Sequence, residues 1–182
     1  MNFLYPSFSG HQLARMLGMT CFGALLAGGY GIFHDQVTFT ISPEYFTEMK
    51  FEQFAFANFG FPQRVFVAEI GFLATWWVGL LSGWLLARLA YSTWSALAAR
   101  RQCWVGFSTI IITTFTAGLL GYVLGRGPLG ANALWREAGI SYGVKDLPAF
   151  LCVAAIHYAS YFGGALGLVI ALVRMWRARP AG

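Results

Sequence analysis

The chain has 182 residues, of which 58% are hydrophobic and only 10% charged, with a formal net charge of +5. Soluble domains carry about 25% charged residues, and a water-soluble fold this apolar would expose large sticky patches, so a soluble globular domain is excluded. The positive excess forms no dense Lys/Arg stripe with interleaved aromatics, which removes nucleic acid as a partner.

Four apolar runs, 16–33, 65–87, 105–124 and 149–173, are each long enough to cross ~30 Å of hydrocarbon at ~1.5 Å per residue. They predict a single all-α transmembrane domain over 1–182. Its four helices, spanning about 13–33, 65–90, 104–125 and 148–174, form a compact antiparallel bundle in the lipid bilayer. At the start, Ser9 and Gln12 match a capping box, which sets a helix going near Gly10. The preceding stretch 1–8, with Phe3, Tyr5 and Phe8, suits the membrane interface. Run 16–33 follows a basic residue, as a signal peptide does. No small-x-small cleavage site comes after it, and the chain continues Tyr30-Gly-Ile-Phe-His-Asp, which predicts a retained span.

The loop 34–64 is the most distinctive segment. Within 37–41, Val37, Phe39 and Ile41 alternate with Thr38 and Thr40, which predicts a short strand. Ser42-Pro43-Glu44 then combines a hydroxyl cap, a first-turn proline and an acid, which predicts a helix over 43–57. That helix would place Phe46, Met49, Gln53 and Ala57 on one side. Tyr45, Phe46, Phe51, Phe54, Phe56, Phe59 and Phe61 crowd the loop. A segment so aromatic lies on the membrane, folds over the bundle mouth or meets another protein.

The string His34-Asp35-Gln36-x-Thr38-x-Thr40-Ile41-Ser42-Pro43-Glu44-Tyr45-Phe46-Thr47 resembles a motif of uncharacterised bacterial polytopic membrane proteins. The likeness covers about one-sixth of the chain, and it implies a bacterial membrane protein without implying an activity.

The second span carries Glu69 and the pair Gly79/Gly83, and the turn 98–103 folds the third span back on it as a hairpin. The third span carries Gly121/Gly125, and Thr109, Thr113 and Thr116 at helical spacing. In the loop 126–147 a short helix over 131–138 would lay Leu134 and Trp135 on the headgroups. Asp146 and Pro148 cap the fourth span, which holds His157 and Gly163/Gly167. Small residues four apart, including Ala24/Gly28 and Ala27/Gly31 in the first span, let helix backbones approach closely in lipid. Internal packing is their plain role; docking of a foreign helix is the other.

Charge sets the orientation. Arg15, Arg88, Arg100, Arg101, Arg174, Arg177 and Arg179 fall on one side with no acid, and every acid outside the spans falls on the other. The positive-inside rule puts both termini in the cytoplasm of a bacterial inner membrane. Cys21, Cys103 and Cys152 form no C-x-x-C pair and read as small packing residues.

Ionisable groups inside a bilayer cost about 2.5–3.5 kcal/mol each on insertion scales and need partners. Arg64 or His34 can serve Glu69, and a hydrogen bond to Thr116 suits His157. The sharper alternative gathers His34, Asp35, Glu69 and His157 beneath the aromatic loop as a metal or proton site. No nucleotide-binding, hydrolase or metalloprotease motif is present. The sequence therefore ranks a non-catalytic accessory or assembly subunit first, binding other membrane subunits or its own copies through the loop, with no cofactor. A metal-binding or proton-relay protein or enzyme, and a small oligomeric transporter or channel, are the alternatives.

Overall fold

A computed structural model describes residues 8–127 and 133–180. In chain order they form α1 (Gly10–Ile41), a π-helical turn (Tyr45–Lys50), α2 (Phe51–Gln53), a 3-10 turn (Ala55–Ala57), α3 (Gln63–Tyr91), α4 (Ala96–Gly125), α5 (Ala133–Ser141) and α6 (Leu147–Arg177). The helices α1, α3, α4 and α6 have 32, 29, 30 and 31 residues and are apolar enough to cross a membrane. The chain is an all-α, four-helix integral membrane protein.

Local chemistry starts α1 and α6 where the sequence says. The Ser9 hydroxyl accepts from the Gln12 N–H at 3.3 Å, while the Gln12 carbonyl oxygen Oε1 accepts from the Ser9 N–H at 2.9 Å. Asp146 accepts the Ala149 N–H at 3.1 Å, with proline in the first turn. Each cap satisfies N–H groups that the first helical turn leaves without partners.

Helices pair through glycine. The most extensive contacts join α1 to α3 and α4 to α6, and the contact of α3 with α4 is narrower. A Cβ on Gly31 would collide with the Gly71 carbonyl, and one on Gly79 with the Gly23 carbonyl. Between α4 and α6, a Cβ on Gly121 would lie 2.7 Å from the Ala155 oxygen and one on Gly163 2.7 Å from the Thr113 oxygen. The Thr75 hydroxyl crosses the first seam to the Ala27 carbonyl at 2.8 Å. The small-residue faces are therefore spent on internal packing, where close backbones gain van der Waals contact that lipid cannot supply.

Four expectations change. The connection between the second and third spans is 92–95, not 98–103: the Ser92 and Thr93 hydroxyls turn back on the Leu89 carbonyl where α3 ends, and 98–103 already lies inside α4. The segment 37–41 is helix, not strand, because α1 continues to Ile41. Its buried residues Gly28, Gly31, Asp35 and Thr38 recur at helical spacing, so one stripe faces the bundle without interruption. That tertiary stripe overrides the β preference of Val37, Thr38 and Thr40. The predicted helix over 43–57 is broken into a π turn, a short α segment and a 3-10 turn. Ser42 does not cap it: its buried hydroxyl has no hydrogen-bond partner among the described residues. The short helix of the second loop is α5, Ala133–Ser141, and the predicted start at 131 lies outside the described residues, as does 1–7 of the interfacial stretch.

Two of the three apolar clusters among the described residues knit the long helices together. One joins Met16, Leu86, Cys103, Phe107 and Met175 toward the tails. The other joins Phe39, Tyr45, Phe46, Val67, Phe150 and Val153 toward the loops. The second forms the floor and walls of the polar site.

Candidate metal centre

Two helices bring the polar groups together. His34 and Asp35 sit about two turns before the end of α1, and His157 sits about three turns into α6. His34 Nδ1 lies 3.1 Å from Asp35 Oδ1, and His157 Nε2 lies 3.9 Å from the same oxygen. One ligand atom from each of the three residues can be chosen so that all lie within 4.8 Å of one another. Asp35 and His157 are only 4% and 3% exposed, so water does not solvate them from the surface.

Hydroxyl groups hold the far nitrogens of both rings. The Ser160 Oγ lies 3.2 Å from His34 Nε2, and the Tyr161 hydroxyl lies 3.4 Å from His157 Nδ1. These contacts turn His34 Nδ1 and His157 Nε2 toward Asp35. Ser160 and Tyr161 follow His157 by three and four residues, so one helix face carries all three. Two buried atoms remain without a hydrogen-bond partner among the described residues, Asp35 Oδ2 and His157 Nε2. Such atoms cost free energy unless something meets them.

The loop after α1 closes the site. Glu44 accepts the backbone N–H groups of Lys145 and Asp146 at 3.2 and 2.8 Å, which pins the loop to the start of α6. Tyr45 then lies against His157, with Phe46 packed behind it. The rings of His34 and His157 meet edge to face at 4.6 Å, and Tyr30 flanks His34 at 5.6 Å. Burial holds the Tyr45 phenol well above its ordinary range, with the negative field of Tyr161 and Asp35 adding to it.

Lys50, on the same π turn, is 6% exposed and has no carboxylate within 4.0 Å among the described residues. Its ammonium lies 5.5 Å from the Phe54 ring. Burial lowers its pKa, and attraction to Asp35 offsets part of that shift.

Of the four residues proposed as ligands from sequence, the structure gathers His34, Asp35 and His157 and leaves out Glu69. Gly71 faces α1, and residues two apart on a helix point about 200° from each other, so Glu69 faces away. One Glu69 carboxylate oxygen is buried without a hydrogen-bond partner among the described residues. Arg64 does not reach it; the guanidinium bonds the Gln36 side chain at 3.2 Å and Thr40 at 3.2 Å, and lies 5.0 Å from the Phe39 ring. No bond joins His157 to Thr116: His157 faces α1, and Thr109, Thr113 and Thr114 bond carbonyls of their own helix. The loop aromatics divide. Tyr45 and Phe46 are buried, Phe51 and Phe54 are half-buried against Phe66, and Phe56, Phe59 and Phe61 are exposed. Lys50, buried in the loop that covers the site, is a charged group the sequence reading leaves aside, although a lysine amid phenylalanines marks it.

No protein-family model, no curated protein and no solved structure matches this chain.

Proposed function

We propose that this integral membrane protein binds a transition-metal ion through His34, Asp35 and His157. The observation that carries the reading is the pair of buried, unpartnered atoms, Asp35 Oδ2 and His157 Nε2, at the centre of a cluster of ligand size. Tetrahedral zinc bonded at ~2.0–2.1 Å separates its ligand atoms by about 3.3 Å; the pairs around Asp35 Oδ1 stand at 3.1 and 3.9 Å and the whole set lies within 4.8 Å, so a small inward shift of His157 would complete the set. Two imidazoles and one carboxylate suit zinc, iron or manganese better than calcium or magnesium. Ser160 and Tyr161 supply the outer contacts that orient metal-binding imidazoles. The same groups compose a proton relay, but a relay needs no convergence of three ligand atoms.

The orientation inferred from the arginines puts both termini in the cytoplasm of a bacterial inner membrane, and the site then lies toward the far side. Metal analysis of detergent-purified protein tests the function. About one ion per chain is expected, lost in Asp35→Asn and His157→Ala and kept in Glu69→Gln. Equal metal content in wild type and Asp35→Asn would end the proposal.

A second reading, an accessory subunit docking through the loop, draws support from Phe56, Phe59 and Phe61, which are 78, 75 and 54% exposed. Gentle purification that brings down a stoichiometric membrane partner, released by Phe56→Ser with Phe59→Ser, would favour it.

A further inference from the structure

We infer that the cleft between the loop ends of α1, α4 and α6 binds an anionic phospholipid. This inference does not depend on the metal site. The cleft has a volume of about 720 Å³ and is lined by Ile41, Tyr122, Arg126, Arg136, Leu151 and Cys152 among others, with no acidic residue. Its two cations come from separate elements, Arg126 just past the end of α4 and Arg136 on α5.

The depth suits a headgroup. Ile41 is the last residue of α1, Gly125 the last of α4 and Leu147 the first of α6, so the cleft lies where the apolar spans stop. Ile41, Leu151 and Cys152 supply an apolar floor for the upper part of an acyl chain. Arg126 is held in place by a 3.0 Å hydrogen bond to the Tyr122 hydroxyl and by that residue's ring at 5.4 Å. Arg136 is exposed and has no hydrogen bond or ion pair among the described residues. A guanidinium fork above an apolar floor matches a phosphodiester joined to hydrocarbon, where charge-assisted bonds and apolar burial act together. Basic pockets between membrane helices recognise anionic lipid headgroups by this combination.

The test is native mass spectrometry of delipidated protein in neutral detergent, titrated with phosphatidylglycerol, phosphatidylcholine or inorganic phosphate. Wild type should retain one phosphatidylglycerol in preference to phosphatidylcholine. Replacing both arginines (Arg126→Gln with Arg136→Gln) should weaken retention on the order of tenfold or more, since both charge-assisted contacts to the phosphodiester are lost. Arg136→Gln alone removes an exposed, unpartnered side chain, so it reads the same effect at smaller size without threatening the fold. Ala149→Phe keeps both charges and fills the cleft, and it should also lose the lipid. Lys145→Gln, a basic residue of the same loop outside the lining, should change nothing.

Equal retention of the two lipids would overturn the inference. So would full retention in Ala149→Phe, which would reduce the arginines to diffuse surface charge. Tight binding of inorganic phosphate with no lipid preference would assign the pair to a soluble anion. A change in protomer number in the arginine variants, with lipid count unaltered, would assign the face to a second copy of the chain.

Discussion

The ring of Tyr45 lies on the imidazole of His157, with centroids 4.9 Å apart and planes 23° from parallel. One residue comes from the π turn and the other from about three turns into α6, so this contact makes the loop a lid on the polar site. Tyr45→Phe keeps the ring and should leave metal retention within about twofold of wild type. Tyr45→Ala opens a cavity above His157, costs about 3–5 kcal/mol as a large buried aromatic, and should speed release of bound metal to a chelator. Chelator-driven release from the two variants at the same rate would show that the ring does not cover the site.

Ser160 and Tyr161 give a second test, because they touch the rings and not the proposed ion. If they orient the imidazoles, Ser160→Ala and Tyr161→Phe should each weaken metal affinity by about 10–100-fold while leaving one ion per chain at saturation. Cobalt(II) titration followed by its visible absorption measures both numbers. Lost stoichiometry would instead make one of these hydroxyls a ligand.

The helix seams predict a sharp contrast among glycines. A side chain on Gly79 has no room against the Gly23 backbone, and Gly79→Ile should abolish the folded bundle in detergent. Gly18 and Gly29 have nothing within 4 Å of an added Cβ. Gly29→Ala should hold or slightly raise the melting temperature, since alanine is the better helix former by about 1 kcal/mol. Circular dichroism melts of the three proteins decide it.

Much of this architecture was legible because lipid makes few demands and makes them strictly. The number of spans follows from hydrocarbon thickness, the Ser9 and Asp146 caps from the need to satisfy backbone groups, and the glycine faces from close packing in lipid. His34, Asp35 and His157 stood out as polar groups at or inside apolar runs. Their convergence did not, since it depends on how α1 and α6 rotate about their axes, and no local pattern encodes that angle between distant segments. Glu69 misled for the same reason: depth can be counted along a helix, but its facing needs a known contact such as Gly31 on Gly71. The stretch 37–41 failed because alternation over five residues is weaker than the buried stripe from Gly28 to Thr38.

The carboxylate of Glu44 holds two backbone N–H groups, those of Lys145 and Asp146. Hydrogen bonds to a charged group contribute about 1.5–3 kcal/mol, discounted here because these are exposed. Glu44→Ala should therefore cost roughly 1–2 kcal/mol locally. Amide exchange over 45–50 should accelerate about tenfold while the centres of α3 and α4 stay protected. Unchanged exchange over 45–50 would mean the lid is held by its aromatic packing alone.

Lys50 and Tyr45 impose opposite slopes on stability against pH. Burial lowers the folded pKa of Lys50 below its ordinary ~10.4, so between the two values the unfolded chain holds more protons. Stability therefore rises with pH through that window, and the cost of burying the ammonium is full below it. Burial raises the folded pKa of Tyr45 above its ordinary ~10, so above that pH the unfolded chain gives up a proton that the folded chain keeps. Stability then falls as pH rises further. The melting temperature in mild detergent should climb as pH approaches ~10 from below and decline beyond it. Lys50→Met removes the buried charge and should flatten the climb, while Tyr45→Phe should soften the decline and leave the climb intact. A climb that survives in Lys50→Met would show that another group drives it and that burial of the ammonium is not its source.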